Sequence, residues 1–472
     1  MELVGGLDSA FLSCETPTMH MHVCGLLILD VTGMAADEPY RRLCDLLASR
    51  MPQIAPMRRR LVPVPFNVGR PRWVDSEVDI DDHLRRVVAP APGDERALAE
   101  LAGAFAGTQV RRDRPLWEML LVEGLSGDRV ALLVKMHHST IDGISGANLM
   151  GELFSLDADT PPESSLAPSP PEPVPGPTAL LAGAVVERFT RPVEAAKLLP
   201  ATAARVGSAL WRGARGDLQA TMPFTAPRTS FNSSVTARRS VAFTSVSLPD
   251  VKAVKGAHGV TVNDVLTAVV GTALRHYLLA RGELPDRSLI AAEPVSVHEQ
   301  AKGLAGTTKV SVMFTSIGTD VADPVERLEA IAESNSRAKA FHSMVGADTL
   351  LGWAEHFSFN GFALGARLYS RLHGADHHPV IHNLILSNVP GPPIPLYLAG
   401  ARLVGIYPLG PVLDGAGLNV TVLSQEDRVG FGIISCAELV PDPWEIAAAI
   451  PAALDELRSA GNRERKIPEH LQ

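Results

Sequence analysis

The chain has 472 residues, of which 46% are hydrophobic and 20% are charged, a composition that excludes a disordered or collagen-like protein. Its length fits two or three domains. The 43 basic and 52 acidic side chains give a net charge of −9, which argues against nucleic acid as the main partner. Four cysteines without a C-x-x-C pair exclude a disulfide framework and a zinc ribbon and indicate reduced thiols.

The N-terminal part of the chain predicts an α/β unit. Residues 23–31 and 129–136 are short apolar runs typical of buried strands, and the periodicity near 96–110 indicates a helix. The first residues lack a basic segment ahead of an apolar one, and no apolar stretch reaches about 18 residues. We therefore expect a cytoplasmic protein without a signal peptide or a transmembrane helix.

A change in composition divides the chain. Residues 157–177 are so rich in proline that we predict a linker there, followed by several short helices in the Ala-rich stretch 178–214. We predict two α/β halves, residues 1–156 and 236–472, with residues 157–235 as the linker and the helical segment.

The second half also alternates between helical and strand-like patterns. A helix is predicted from near Asn263 to Gly282, with Thr261 or Asn263 as its N-cap. Five strand-like runs and a terminal helix follow, at 289–297, 309–317, 380–388, 418–424, 429–435 and 441–460.

The most informative motif is H-H-x-x-x-D-G, formed by His137, His138, Asp142 and Gly143 at the end of a predicted strand. A neutral imidazole with a pKa near 6.5 suits a general base. Adjacent strand residues point to opposite faces, so we expect one histidine to be the base and the other to be packed. Asp142 is expected to fix the loop, and Gly143 allows a tight turn.

Other kinds of site have less support. Two packed histidines beside a turn are the simplest alternative, and a metal site lacks a third His or Glu at helical spacing. The chain contains no G-x-S-x-G motif and neither of the glycine-rich nucleotide motifs. A base without a nucleophile suits direct attack of one substrate on another.

Further motifs appear in order along the chain. They are P-L-W at Pro115, Leu116 and Trp117, N-D at Asn263 and Asp264, and S-N-V-P-G-P beginning at Ser387 and Asn388. With the opening LDSAFLSCETPTMHMHV and the histidine motif, they make nearly the whole sequence resemble the bacterial wax ester synthase/acyl-CoA:diacylglycerol acyltransferase family, especially actinobacterial triacylglycerol synthases. The histidine motif alone also occurs in peptide-synthetase condensation domains and plant acyltransferases.

The resemblance implies two chloramphenicol-acetyltransferase-like α/β domains with a channel between them. A long-chain acyl group would pass from acyl-CoA to diacylglycerol, forming triacylglycerol, or to a long-chain alcohol, forming a wax ester. His138 would be the general base, without an acyl-enzyme. Acyl-CoA is a co-substrate and no cofactor or metal is expected. The resemblance also implies peripheral contact with the inner face of the plasma membrane or with lipid droplets and no nucleic acid. The sequence does not predict the oligomeric state.

The remaining motif residues have two interpretations each. Asn263 is either an oxyanion donor or a helix cap, and Asp264 orders the first helical turn. The P-L-W residues are core or tunnel wall, and Ser387 and Asn388 either shape the acyl or CoA passage or end a strand. Cations available for CoA phosphates, or simply surface charges, are Arg238, Arg239, Lys302 and Lys309.

Two departures from the family pattern concern the acceptor pocket, since His298 stands where Arg is expected and Gln425 where Tyr is common. These departures leave a non-catalytic lipid-binding paralogue open as an alternative. A condensing enzyme that takes its acyl group from a carrier protein is a second alternative, which would need a docking surface in place of a CoA pocket. Four further histidines are expected to be solvated or hydrogen-bonded rather than zinc ligands; they are His373, His377, His378 and His382.

Overall fold

The computed structural model describes most of the chain. The described residues are 1–141, 149–159, 173–174, 176–185, 200, 221–296, 310–345 and 359–464. Several predicted features lie outside them, namely Asp142, Gly143, His298, Lys302, Lys309 and most of the linker region 157–235.

The helices and strands alternate in both halves. The helices are α1 (Gly6–Cys14), α2 (Glu38–Arg50), α3 (Ala55–Arg58), α4 (Glu95–Ala106), α5 (Leu248–His258), α6 (Val262–Ala280), α7 (Pro324–Val345), α8 (Phe359–Arg371) and α9 (Trp444–Glu464). The strands are β1 (Glu2–Leu3), β2 (His22–Asp30), β3 (Arg59–Val62), β4 (Arg72–Asp75), β5 (Leu84–Val88), β6 (Trp117–Leu125), β7 (Arg129–His137), β8 (Arg239–Ser247), β9 (Ile290–Ser296), β10 (Val310–Ser316), β11 (Leu384–Val389), β12 (Tyr397–Leu398), β13 (Ala401–Leu409), β14 (Leu418–Gln425) and β15 (Arg428–Cys436).

Within the described ranges the strands form two six-stranded sheets and a small sheet of order β1-β4-β3. The first large sheet has the order β12-β13-β2-β7-β6-β5, and the second has the order β10-β9-β11-β14-β15-β8. The central strand β7 pairs antiparallel with β2 and β6 and is buried along most of its length, as its apolar sequence predicts.

Strands from the second half complete the first sheet. β13 pairs antiparallel with β2, so that Leu409 lies opposite Cys24. A division of the sequence at residue 236 therefore does not separate the two sheets. The sequence pattern did not predict a strand at residues 401–409. Its partner is almost 380 residues away, and the choice of that partner depends on packing between the halves.

Two glycines allow this crossing. A Cβ atom on Gly430 would lie 2.3 Å from the Ile406 carbonyl oxygen, and one on Gly432 would lie 1.9 Å from that of Pro408. Since neither distance accommodates a carbon atom, only glycine lets β13 cross β15 at backbone contact.

The helix that opens the second half shows why this sequence folds locally as predicted. Helix α6 begins with a capping box, in which the Thr261 hydroxyl accepts from the Asp264 N–H and the Asp264 carboxylate accepts from the Thr261 N–H. It ends shortly before Gly282, which has a φ of 67°. The N-cap is therefore Thr261 and not Asn263. The apolar side of α6 packs in the core of the second half.

Candidate active site

His137 and His138 lie at the end of β7, where His137 is opposite His22 of β2. The His137 side chain is buried, with its Nδ1 atom 3.1 Å from the Ser139 amide nitrogen and 2.8 Å from the Ser139 hydroxyl. Because a backbone N–H only donates, Nδ1 is the acceptor and the ring proton lies on Nε2. Burial, followed by the charges of Arg112 and His138, holds the pKa of His137 well below its usual range. His137 is a neutral part of the scaffold.

His138 has a different environment from its neighbour. Its backbone N–H donates to the Met21 carbonyl at 2.8 Å, and its half-buried ring stacks on Phe11 of α1 with 4.3 Å between centroids. The two histidines thus divide between a packed and a more accessible position, as the alternation of a strand predicts.

An ion pair between the buried Glu15 and the exposed Arg112 lies behind His137. Arg112 donates to the Glu15 carboxylate through Nε at 3.0 Å and to the Leu12 carbonyl at 2.7 Å. The Glu15 oxygen that accepts from Arg112 is 3.8 Å from His137 Nε2, the nitrogen that carries the proton of the neutral ring. Burial raises the pKa of Glu15, and the Arg112 guanidinium opposes that shift. Sequence analysis missed this pair because its members are 97 residues apart.

A buried lysine supports the same end of β7. Lys135, on the same face as His137, donates from Nζ to the carbonyls of Phe105 at 3.0 Å and Thr108 at 2.9 Å. Its ammonium group is also 3.1 Å from the Glu118 carboxylate. The cation therefore neutralises the C-terminal end of α4, where the helix dipole is negative. A lysine inside an apolar strand is the sequence feature that could have indicated this buried cation.

The P-L-W residues hold β7 rather than contact a reacting group in the described structure. All three are buried, and the Leu116 carbonyl accepts from the His137 N–H at 2.9 Å. Trp117 donates from Nε1 to the Met57 carbonyl at 2.9 Å and stacks on His83. This geometry supports the interpretation of the three residues as core rather than as a tunnel wall.

The N-D and S-N motifs come together in the second half. Asn263 donates from Nδ2 to Glu293 at 3.3 Å and accepts from Nδ2 of Asn388 at 3.2 Å. Thr315 donates to the other oxygen of Glu293 at 2.8 Å. Burial raises the pKa of Glu293, while its bonds from Thr315 and Asn263 oppose the shift. Sequence analysis missed Glu293, which lies within the predicted strand 289–297.

Asp264 and Ser387 have structural contacts. Besides its capping role, the Asp264 carboxylate accepts from Asn335 of α7 at 2.8 Å. Ser387 lies opposite Thr421 in the parallel pairing of β11 with β14.

The described cations proposed for CoA differ from each other. Arg239 is buried and donates to the carbonyls of Thr18 and Arg238 at 2.6 and 3.1 Å, so its guanidinium is used within the fold. Arg238 is exposed and pairs with Glu438 at 3.3 Å. Both line a cavity of about 680 Å³ between α4 and β8, which Trp444 also lines.

The four further histidines at 373–382 do not share one environment. His378 shares a 2.6 Å hydrogen bond with the Tyr369 hydroxyl, and burial lowers the pKa of His382 to about 4. In the part of the chain that the structure describes, no group of three or more His, Cys, Asp or Glu residues is placed to hold a metal ion. A helix of the length and apolarity needed to span a membrane is likewise not found among the residues described.

Family models match both halves of the chain. The wax ester synthase/diacylglycerol acyltransferase catalytic domain matches residues 4–266, and the C-terminal domain of the same family matches residues 307–458.

Individual relatives agree with these matches. A Mycobacterium tuberculosis protein named as a candidate diacylglycerol O-acyltransferase is 40% identical over 475 residues, with 100% of this chain and 93% of that protein covered. A Mycobacterium bovis protein, also named as a candidate, is 34% identical over 463 residues, with 98% and 99% covered.

Solved structures show the same relationship. The wax ester synthase/diacylglycerol acyltransferase from Marinobacter aquaeolei VT8 has a TM-score of 0.69 and 30% identity, covering 98% of this chain and 100% of that one. A condensation domain of the calcium-dependent antibiotic synthetase has a TM-score of 0.51 at 14% identity, covering 98% and 96%, which shows the shared fold alone. With its predicted family and its two-domain α/β fold class thus confirmed, the chain belongs to the wax ester synthase/diacylglycerol acyltransferase family.

Proposed function

We propose that this protein is an O-acyltransferase that moves a long-chain acyl group from acyl-CoA to diacylglycerol, forming triacylglycerol and CoA. Long-chain alcohols are a second class of acceptor and give wax esters. The observation that carries the proposal is the unequal histidine pair at the end of β7, in a chain that matches the family along its length. His137 is a neutral scaffold residue, and His138 is half-buried against Phe11.

His138 is the general base in this proposal. It takes the proton of the acceptor hydroxyl while the hydroxyl oxygen attacks the thioester carbonyl carbon. The tetrahedral intermediate collapses by breaking the carbon–sulfur bond, and protonated His138 returns the proton to the CoA thiolate. The new ester bond forms directly, so no acyl-enzyme is needed.

The developing oxyanion needs hydrogen-bond donors. We keep Asn263 as the proposed donor, because its amide carries two N–H groups and Glu293 accepts from Nδ2. Asn388 orients that amide by donating to its oxygen. Asp142 and Gly143 keep the roles that the family resemblance implies, as the residues that fix and turn the loop after His138.

The proposal includes the partners and the location. Acyl-CoA is the co-substrate without a further cofactor, and Arg238, which is exposed where Arg239 is buried, is the arginine proposed to meet its phosphates. The protein acts in the cytoplasm at the surface of the membrane or of lipid droplets, where its acceptor is found. The carrier-protein alternative is not favoured, since the condensation-domain likeness extends to the fold alone.

The test is an acyl-transfer assay with labelled palmitoyl-CoA and either dioleoylglycerol or hexadecanol. The parent protein should form labelled neutral lipid and free thiol in equal amounts. His138→Gln should lower kcat about 10²–10⁴-fold, the usual contribution of a general base. His276→Gln is the matched control, since His276 lies half-exposed on α6 and should leave the rate unchanged.

Three measurements decide the outcome. Equal melting temperatures for the parent and His138→Gln attribute a rate loss to chemistry rather than to folding. If His138→Gln retains the parental kcat, the residue is not the base. Transfer from an acylated carrier protein, with none from palmitoyl-CoA, would reject the proposed donor.

A further inference from the structure

Helix α8 places its apolar side outward. Leu364, Leu368 and Leu372 recur every fourth residue and are 68%, 52% and 62% exposed. That spacing aligns them along one side of the helix and its last turn. A helix on a globular protein ordinarily buries such a stripe, so these leucines indicate a partner outside the fold.

Three of the described side chains on the opposite side of α8 are small. Ser370 lies there, and its hydroxyl is 3.1 Å from the Thr18 hydroxyl at the start of the chain. Ala363 and Ala366 are partly buried on the same side. The described hydrogen bond between the helix and the start of the chain is therefore made on the side away from the leucines, which stay exposed.

The outward side carries positive charge at its border. At 100° per residue, Arg367 and Arg371 fall beside the leucine stripe, and both are exposed. The helix sequence contains no acidic residue, although the whole chain has a net charge of −9. A negative net charge opposes binding to an anionic surface, so a face that is both basic and apolar suits such a surface.

The helix is also close to the proposed base. Helix α8 packs on α1, and Phe11 of α1 stacks on His138. The exposed leucines and the helix that contacts His138 therefore lie on opposite sides of α8.

We propose that the leucine face of α8, defined as Leu364, Leu368, Leu372, Arg367 and Arg371, docks the protein on an anionic phospholipid surface. The leucines enter the interface, and the guanidinium groups meet lipid phosphates. A second copy of the chain is a poorer occupant, because three leucines supply a small part of the roughly 1,200–2,000 Å² that a stable dimer buries. The benefit of docking beside His138 rests on the proposed function, since it brings a membrane-dissolved acceptor to the base.

Co-sedimentation with vesicles tests the docking face. The parent should bind vesicles of equal phosphatidylcholine and phosphatidylglycerol, and bind pure phosphatidylcholine more weakly. The variant with Leu364→Gln, Leu368→Gln and Leu372→Gln should lose about tenfold or more in partition coefficient, because buried apolar area sets interfacial affinity. The matched control, Leu156→Gln with Leu279→Gln, changes leucines that are 62% and 49% exposed elsewhere and should bind like the parent.

The charge border has its own test. Arg367→Gln with Arg371→Gln should remove the preference for phosphatidylglycerol while leaving the weaker binding to phosphatidylcholine. The proposal is overturned if the triple leucine variant binds vesicles like the parent. It is also overturned if that variant changes only from dimer to monomer in light scattering, which would make the face an interface between copies.

Activity measurements separate this proposal from the proposed function. With dissolved dioctanoylglycerol, the triple variant should transfer acyl groups as fast as the parent. With dioleoylglycerol in vesicles, it should be slower by about tenfold or more, in step with the lost binding. Loss of vesicle binding in the triple variant, with no acyl transfer by the parent to either acceptor, would reject the enzyme activity and support the docking face.

Discussion

At the scale of single residues, buried charges define the end of β7. Lys135 has no exposed surface, yet its ammonium group is surrounded by the oxygens of Phe105, Thr108 and Glu118. Sequence pattern predicts the strand around it, because apolar neighbours dominate that run. The partners of the lysine could not be predicted, since they come from a helix end and a neighbouring strand.

Lys135→Met should destabilise the protein by about 3–5 kcal/mol, because it removes the ammonium group from two carbonyls and from the Glu118 carboxylate, which keeps only the longer 3.7 Å contact with Arg85. Urea denaturation measures the change. The double variant Lys135→Met with Glu118→Gln should lose less, since the uncompensated charge is gone. Lys252→Met, on the exposed side of α5, is the control and should stay within about 0.5 kcal/mol. A parental denaturation midpoint for Lys135→Met would show that its bonds contribute nothing net.

His382 predicts a pH dependence of stability. Burial lowers the pKa of His382 to about 4, so the folded chain keeps it neutral where the unfolded chain, with a pKa near 6.5, binds a proton. Its contribution to stability is therefore complete above about pH 6.5 and is lost as pH falls toward 4.

Replacing His382 by Leu should remove about 2 kcal/mol from the loss of stability between pH 7 and pH 5. Denaturation curves at the two pH values measure this difference. His276→Leu, at a half-exposed histidine, should leave the pH dependence as it is in the parent. An identical pH dependence in parent and His382→Leu would contradict the depressed pKa.

At the scale of elements, helix α6 shows which features are local. Its start is encoded by Thr261 and Asp264, three residues apart, and the sequence predicts it to within a residue. The environment of Asn263 is not local, because Glu293 and Asn388 belong to two different strands. Sequence motifs thus select the candidate residues but do not predict the hydrogen bonds that orient them.

Thr261→Ala should cost about 1 kcal/mol as a lost cap. Asp264→Ala should cost about 1–3 kcal/mol more, because it also leaves the buried Asn335 amide without its acceptor. Thermal unfolding monitored by circular dichroism ranks the two. Asp250→Ala is the control, an acidic residue at the same position of α5 whose partly exposed side chain should matter less. If Asp264→Ala and Asp250→Ala lose equal stability, the hydrogen bond between Asp264 and Asn335 adds nothing to the cap.

At the scale of the whole molecule, the crossing of β13 into the first sheet joins the two halves. The periodicities predicted β2 and β7 of the first sheet and five of the six strands of the second, but neither the strand at 401–409 nor its pairing with β2. Two glycines of β15 mark the crossing in the sequence, but glycine also occurs in strands at bulges and sharp bends, so these positions alone do not predict it.

Gly432→Ala should destabilise the protein by about 1–3 kcal/mol or more, because the new methyl group would overlap the Pro408 carbonyl. Differential scanning calorimetry should show a lower Tm. Gly256→Ala, on the exposed side of α5 with open space around it, should instead raise stability by up to about 1 kcal/mol. If both variants melt like the parent, β13 and β15 are not in backbone contact.

The strand crossing has a consequence for how the protein is made. The edge of β2 receives its neighbour only after the ribosome has added roughly 270 residues beyond β7, about 15–55 s at ordinary elongation rates. During that interval the nascent chain exposes an apolar strand edge, which invites wrong pairing. We therefore expect the nascent chain to need protection by chaperones until residues 401–409 emerge, and two separately produced halves to fold only when they are mixed.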